Sequence, residues 1–207
     1  ALGAVPLMTT ASPHLWRAVP AVTDWQPPVE LNDTTAAYFS RLAEISPPEQ
    51  ARRYRDVLAG NSDAVAAADA WLRENEPRHA SMLRTSVSPN IIQGGYRNNV
   101  IPSEAMVTLD VRMLPDENPE AFLAQIEKVV NDSSVEAVFN GWPATTTSKP
   151  RNGGESSIRS EAFKAIEAAI TKHYQTTTLP TMSTGARDMA FLRARGMQCY
   201  GIGPATD

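Results

Sequence analysis

Ile91-Ile92-Gln93-Gly94-Gly95-Tyr96-Arg97-Asn98-Asn99-Val100-Ile101-Pro102 is the stretch on which the fold turns. It closes a segment, 81–93, rich in β-branched residues that favour a pleated, half-buried strand. Gly94-Gly95 then permits positive φ, the backbone state a tight reversal needs and other residues resist. The return, 99–113, sets Met106, Leu109, Val111 and Met113 loosely against Thr108, Asp110 and Arg112. That alternation predicts an antiparallel hairpin with one covered face.

Downstream of the hairpin, Pro119 opens a helix with Ala121, Phe122, Ile126, Val129 and Val130 on one side, and 135–139 reads as a short strand. Upstream, 1–6 reads as a strand ended by Pro6. Residues 10–22 carry Leu15, Ala18, Val19 and Val22 at helical spacing, with Ser12 as N-cap and Pro13 in the first turn. Between these lie polar helices over 33–45, 47–58 and 64–74, a helical insertion at about 25–78. Residues 1–142 therefore spell β-α-(insertion)-β-β-α-β, the split arrangement of a ferredoxin-like domain, and the fold class is α+β.

Residues 143–157 have linker composition, with Pro143, Pro150, Gly153 and Gly154. Beyond them 158–207 predicts helix 160–173, strand 179–182, helix 188–195 and strand 197–202, an αβαβ piece of an incomplete α/β domain. So small a piece buries too little surface to offset its chain entropy and needs a partner. Opening on Ala1 in an apolar run, the chain reads as part of something longer.

Composition narrows the function. A net charge of −4 over 207 residues, with no basic block, excludes the electrostatic footprint of a nucleic-acid binder. No apolar run approaches the roughly 20 residues that cross a bilayer. The single Cys199 excludes an internal disulfide framework and reads as packing in a strand. His14, His79 and His173 stand in separate elements without a second ligand nearby, as surface or helix-end residues. No metal site and no catalytic residue is identified, and glycine-rich nucleotide loops and a serine elbow are both missing.

Two polar groupings remain. Ser183-Thr184-Gly185-Ala186 sits at a strand-to-helix turn, where backbone N–H groups can hold a carboxylate or an oxyanion, or merely cap the helix. Arg97, Asn98 and Asn99 stand in the hairpin loop. Arg supplies a bidentate fork and Asn both donates and accepts, which suits a ligand carboxylate and carbonyl. Asn also favours left-handed turn positions, so turn chemistry explains the loop equally well.

Residues 89–105, Pro-Asn-Ile-Ile-Gln-Gly-Gly-Tyr-Arg-Asn-Asn-Val-Ile-Pro-Ser-Glu-Ala, with Leu109-Asp110-Val111-Arg112 and Pro115-Asp116, closely resemble the lid, or dimerisation, domain of the M20 family of zinc-dependent peptidases and amidohydrolases. Residues 179–186, Asp188-Met189-Ala190 and 196–204 resemble the later part of that family's catalytic domain. The resemblance covers most of the chain outside 24–78. It implies a homodimer formed through the lid, a small peptide or acyl-amino-acid ligand, Asn99 as a substrate contact reaching across the dimer, and the Thr184-Gly185 turn as a lining of the substrate pocket. It also implies zinc in full-length relatives, whose ligands have no counterpart in this sequence. Where the family carries a His-Gly-Ser segment before Pro, this chain reads Leu2-Gly3-Ala4-Val5-Pro6. Leucine donates no hydrogen bond, and losing one oxyanion donor costs on the order of 3 kcal/mol of transition-state energy. The expectation is thus an M20-like homologue without its metal ligands and inactive alone. A non-catalytic dimerisation or carboxylate-binding module, and a metal-independent hydrolase, are the alternatives.

Overall fold

The computed structural model describes residues 10–139, 154–183 and 188–203. The chain divides into two units. One comprises Ala1–Pro27, Thr85–Met113 and Glu117–Arg151; the other comprises Pro28–Arg84, Leu114–Asp116 and Asn152–Asp207.

In the first unit, helix α1 (Ala11–Asp24) packs on strands β1 (Ser86–Gly94) and β2 (Ala105–Arg112) and on helix α6 (Pro119–Val130). The strands pair antiparallel, from Ser86 opposite Arg112 to Gly94 opposite Ala105, with a bulge between Pro89 and Ile91. Val22, Phe122 and Ile126 form the buried centre, and Trp25, Val87, Leu109, Val111 and Met113 close around it. Leu109 and Val111 of β2, two residues apart, both serve that core, as a period of two requires. Trp25 and Phe122 meet with ring centroids 5.5 Å apart. His14 Nδ1 lies 2.5 Å from Asp132 Oδ2, tying α1 to the end of α6. Asn118 caps α6 by accepting from Ala121 N–H at 2.8 Å, and Pro119 takes the first helical position.

The order α1-β1-β2-α6 is the middle of the expected β-α-β-β-α-β. Its predicted first strand, 1–6, lies outside the described residues. The strand predicted at 135–139 is not formed. Val135 N–H donates to Asp132 O at 3.0 Å and Ser134 N–H to Asp132 Oδ1 at 2.9 Å, so the chain spends its donors in a turn. Ala137 still packs on the core. Two paired strands are therefore present among the described residues. Helix α1 begins after Thr10, whose side chain makes no cap bond, and Ser12 falls inside the helix. Pro20 also lies within it; the N–H that proline lacks would have met the carbonyl of Trp16, an exposed position.

The second unit is a helical hub of α2 (Asp33–Ile45), α3 (Pro48–Leu58), α4 (Ser62–Asn75) and the short α5 (Pro77–Ala80), followed by α7 (Glu161–Tyr174) and α8 (Met189–Arg193). Asn32 starts α2 with a capping box: its Oδ1 accepts from Thr35 N–H at 2.8 Å while Thr35 Oγ1 accepts from Asn32 N–H at 3.0 Å. Phe39, Leu72 and Leu83 are wholly buried, with Tyr38, Ala43, Ala51, Tyr54, Val57 and Ala68 around them. Each large side chain so buried contributes about 1.5–3 kcal/mol of transfer energy. Asp69 is held between Arg84 Nη2 and Arg73 Nε, the latter at 3.1 Å, and Asp69 and Arg84 are both buried.

The C-terminal part of this unit departs from expectation. Residues 179–182 and 197–202 are not strands. Leu179 and Met182 instead lie against the helical core, and Arg41 Nη1 takes the Thr178 carbonyl at 2.8 Å and Glu167 Oε1 at 2.5 Å. Around Cys199 a side chain replaces a neighbouring strand: Ser156 Oγ accepts from Cys199 N–H at 2.8 Å and donates to its carbonyl at 3.0 Å. A strand exists only by its ladder, and one serine satisfies both backbone groups here without one.

Candidate functional site

The hairpin that carries Arg97 and Asn99 is anchored at its base and bare at its end. Val87, Leu109 and Val111 pack on the first unit's core, whereas Ile91 and Ile92, on opposite faces of β1, are 51% and 61% exposed. A strand exposed on both faces has left its domain's core behind, so the loop after Gly94 projects.

Within that loop each turn has a distinct cause. Gly95 adopts φ +75°, the left-handed state. Val100 N–H then donates to Arg97 O at 3.3 Å, closing a four-residue turn whose central residues are Asn98 and Asn99. Neither asparagine has positive φ; outside glycine that state occurs at Asp116, Asn131 and Gln175 among the described residues. The left-handed conformation is supplied by Gly95, and the two asparagines are not needed for it. Their side chains, exposed, make no hydrogen bond among the described residues. Arg97 is exposed too, its guanidinium 6.0 Å from the centroid of the Tyr96 ring, itself 76% exposed. An aromatic face behind a guanidinium limits its wandering while leaving its N–H fork open.

Arg97 and Asn99 are therefore brought together on one loop. Thr184 and Gly185 lie outside the described residues, as does the Leu2 segment.

The histidines reveal what the sequence reading missed. His79 and His14 do lie at helix ends, but they are half-buried and bonded. His79 Nδ1 meets Glu76 Oε2, its Nε2 lies 2.9 Å from Tyr38 Oη, and Tyr54 Oη donates to Glu76 at 2.9 Å. The signal was Glu76-x-x-His79, an i,i+3 spacing that faces two side chains together on a helical turn. Burial, and next the bond to Glu76, raise the Tyr54 phenol well above its usual range. Tyr38 is raised chiefly by burial. These phenols stay protonated donors, and the cluster clasps the corner between α4 and α5 to α2 and α3. Among the described residues no three His, Cys, Asp or Glu side chains converge as an ion would require, so these residues do not offer zinc a cradle. No helix among them is long and apolar enough to cross a membrane.

Comparison with known proteins gives the chain's likenesses. Residues 39–138 match the model of the peptidase dimerisation domain, M20_dimer. Aminoacylase-1 of Mus musculus is 24% identical over 175 residues, 81% of this chain and 42% of its own length. Aminoacylase-1B of Rattus norvegicus is 23% identical with the same coverage. A probable carboxypeptidase S-like 2 of Dictyostelium discoideum is 28% identical over 112 residues, 48% of this chain and 22% of its own length. The chain spans less than half the length of these relatives. No solved structure matches it significantly. The chain thus matches the M20 peptidase dimerisation domain across the hairpin and is similar to aminoacylases over most of its length.

Proposed function

We propose that this chain is the ligand-recognising and self-associating part of an M20-type peptidase or amidohydrolase, and that Arg97 and Asn99 take hold of a small peptide or acyl amino acid. The observation that carries this reading is the state of the asparagines: exposed, free of hydrogen bonds among the described residues, and not required by the turn they occupy. Arg97 would donate its fork to the ligand carboxylate, and the Asn99 amide would donate to the acyl carbonyl while its oxygen accepts from the scissile N–H. Residues 1–142 are read as the lid and 158–207 as part of the catalytic domain, joined by 143–157.

Alone, the chain recognises rather than hydrolyses. His79 is committed at both ring nitrogens, to Glu76 and to Tyr38, so it is not at liberty to act as a base on a substrate. Self-association through the lid is supported by the family match and by the bare Ile91 and Ile92 on β1.

Calorimetric titration with dipeptides and N-acyl amino acids tests the recognition role. Saturable binding that weakens at least tenfold in Asn99→Ala is expected; unchanged binding in that variant refutes it. Release of free amino acid that persists in chelator contradicts the claim that the chain alone is inactive. Light scattering at rising concentration tests association, which a strict monomer would contradict.

A further inference from the structure

The loop's geometry assigns a role to a residue that itself touches no ligand. We propose that Gly95 is a positioning residue, whose left-handed backbone sets the direction in which the Arg97–Val100 turn presents Asn99. The inference rests on the recognition reading above and extends it to what holds the recognising group in place.

Two glycines meet at this point, and they are glycine for different reasons. A Cβ on Gly94 would stand 3.2 Å from the Cβ of Ala105, its ladder partner, so Gly94 lets the two strands close at the last rung. A Cβ on Gly95 would meet only Pro102 Cγ, at 4.0 Å, so space does not select glycine there; the φ of +75° does. Beyond that rung Val100 N–H donates to Arg97 O, and Val100 itself stands in an isolated bridge. Exposed Ile92 and Tyr96 offer no packing to correct a misdirected loop. The course of residues 96–99 therefore follows from the backbone at 95 at one end and from the bridge at Val100 at the other. A β-branched residue is the least able to hold that φ, and asparagine, whose short polar side chain tolerates the left-handed region, is the best substitute.

The test uses Gly95→Val and Gly95→Asn, with Gly60→Val as control, since Gly60 has φ +66° with nothing within 4 Å and lies in the other unit. Backbone amide order parameters at 97–100 are measured without ligand, and N-acetyl-leucine affinity is measured by titration. In Gly95→Val, order at 97–100 is expected to fall and affinity to weaken about tenfold. Gly95→Asn should restore both, and Gly60→Val should change neither. Gly95→Ala, which carries less strain at the same φ, takes the place of the valine variant if that fails to fold. Order and affinity unchanged in Gly95→Val overturn the proposal. So does an asparagine variant as impaired as valine, or a Gly60→Val that disturbs 97–100 equally. If order responds as expected while no variant or parent binds ligand, the positioning role stands and the recognition reading fails.

Discussion

The helical hub and the hairpin loop use the same polar vocabulary in opposite ways. In the hub, Tyr38, His79, Glu76 and Tyr54 bond to one another, and Asp69 is held by two arginines. In the loop, Arg97, Asn98 and Asn99 face solvent, with a single ring contact among them. Buried polar groups must be satisfied internally because each orphan costs about 1–3 kcal/mol. Exposed ones are satisfied by water and can exchange it for a ligand. Side chains that bond within the fold hold it together; those that do not are available for recognition.

The contrast is broken most severely by attacking the hub. Arg84→Ala leaves the buried Asp69 carboxylate short of its closest partner and should cost about 3–5 kcal/mol, read as a lowered denaturation midpoint. A loss under about 1 kcal/mol would mean that the cluster is not structural. Asn99→Ala should shift stability by less than about 0.5 kcal/mol while weakening ligand binding. Loss of stability there would make Asn99 a turn residue after all.

The carboxylates Asp132 and Glu155 sharpen the comparison through the sign of their pH dependence. The Asp132 carboxyl is held below its usual 3.8 by the bond from His14, then by Ser134 N–H. Its contribution to stability is present above 3.8 and is lost as the pH falls through the depressed folded value. Glu155 lies above its usual 4.5, first through burial, and also through Asp116 and Asp33, against a bond from Thr34. A raised carboxyl stabilises the fold below 4.5 and loses that contribution as the pH rises through its folded value, so the ionised form is unfavourable near neutrality. Asp132→Asn should lower stability at pH 7 and converge with the parent in strong acid; Glu155→Gln should raise it at pH 7 and converge below 4.5. Equal slopes for the variants and the parent would contradict both assignments. The smallest effect concerns Gln175, which ends α7 at φ 53°. Gln175→Gly should add up to about 1 kcal/mol, and no gain in thermal midpoint would show that the left-handed state is costless there.

What was legible in the sequence followed from local rules. Asp33, the Pro47-Pro48 pair and the Gly60-Asn61 break mark the ends of α2, α3 and α4 because caps and breakers act on their own neighbours. The hairpin was legible from Gly94-Gly95 and the alternation of β2. What was not legible depended on partners far along the chain. Residues 135–139, 179–182 and 197–202 have strand-like composition, yet their backbone groups or side chains are taken by Asp132, the helical core and Ser156. The Tyr38-His79-Glu76-Tyr54 clasp joins residues up to 41 apart in sequence, and only its Glu76-x-x-His79 step had a local spacing. At the site, sequence alone left turn chemistry and recognition evenly matched for Asn99; the φ values move the turn's demand to Gly95.

The central claim is that the Asn99 side chain is held ready for a ligand, and its own amide resonances test it most directly. Titration of the labelled chain with N-acetyl-leucine should move the Asn99 side-chain amide saturably while that of Asn118, committed to capping α6, stays in place. An Asn99 amide that remains still while other residues report binding, or that never moves at any ligand concentration, would contradict the account.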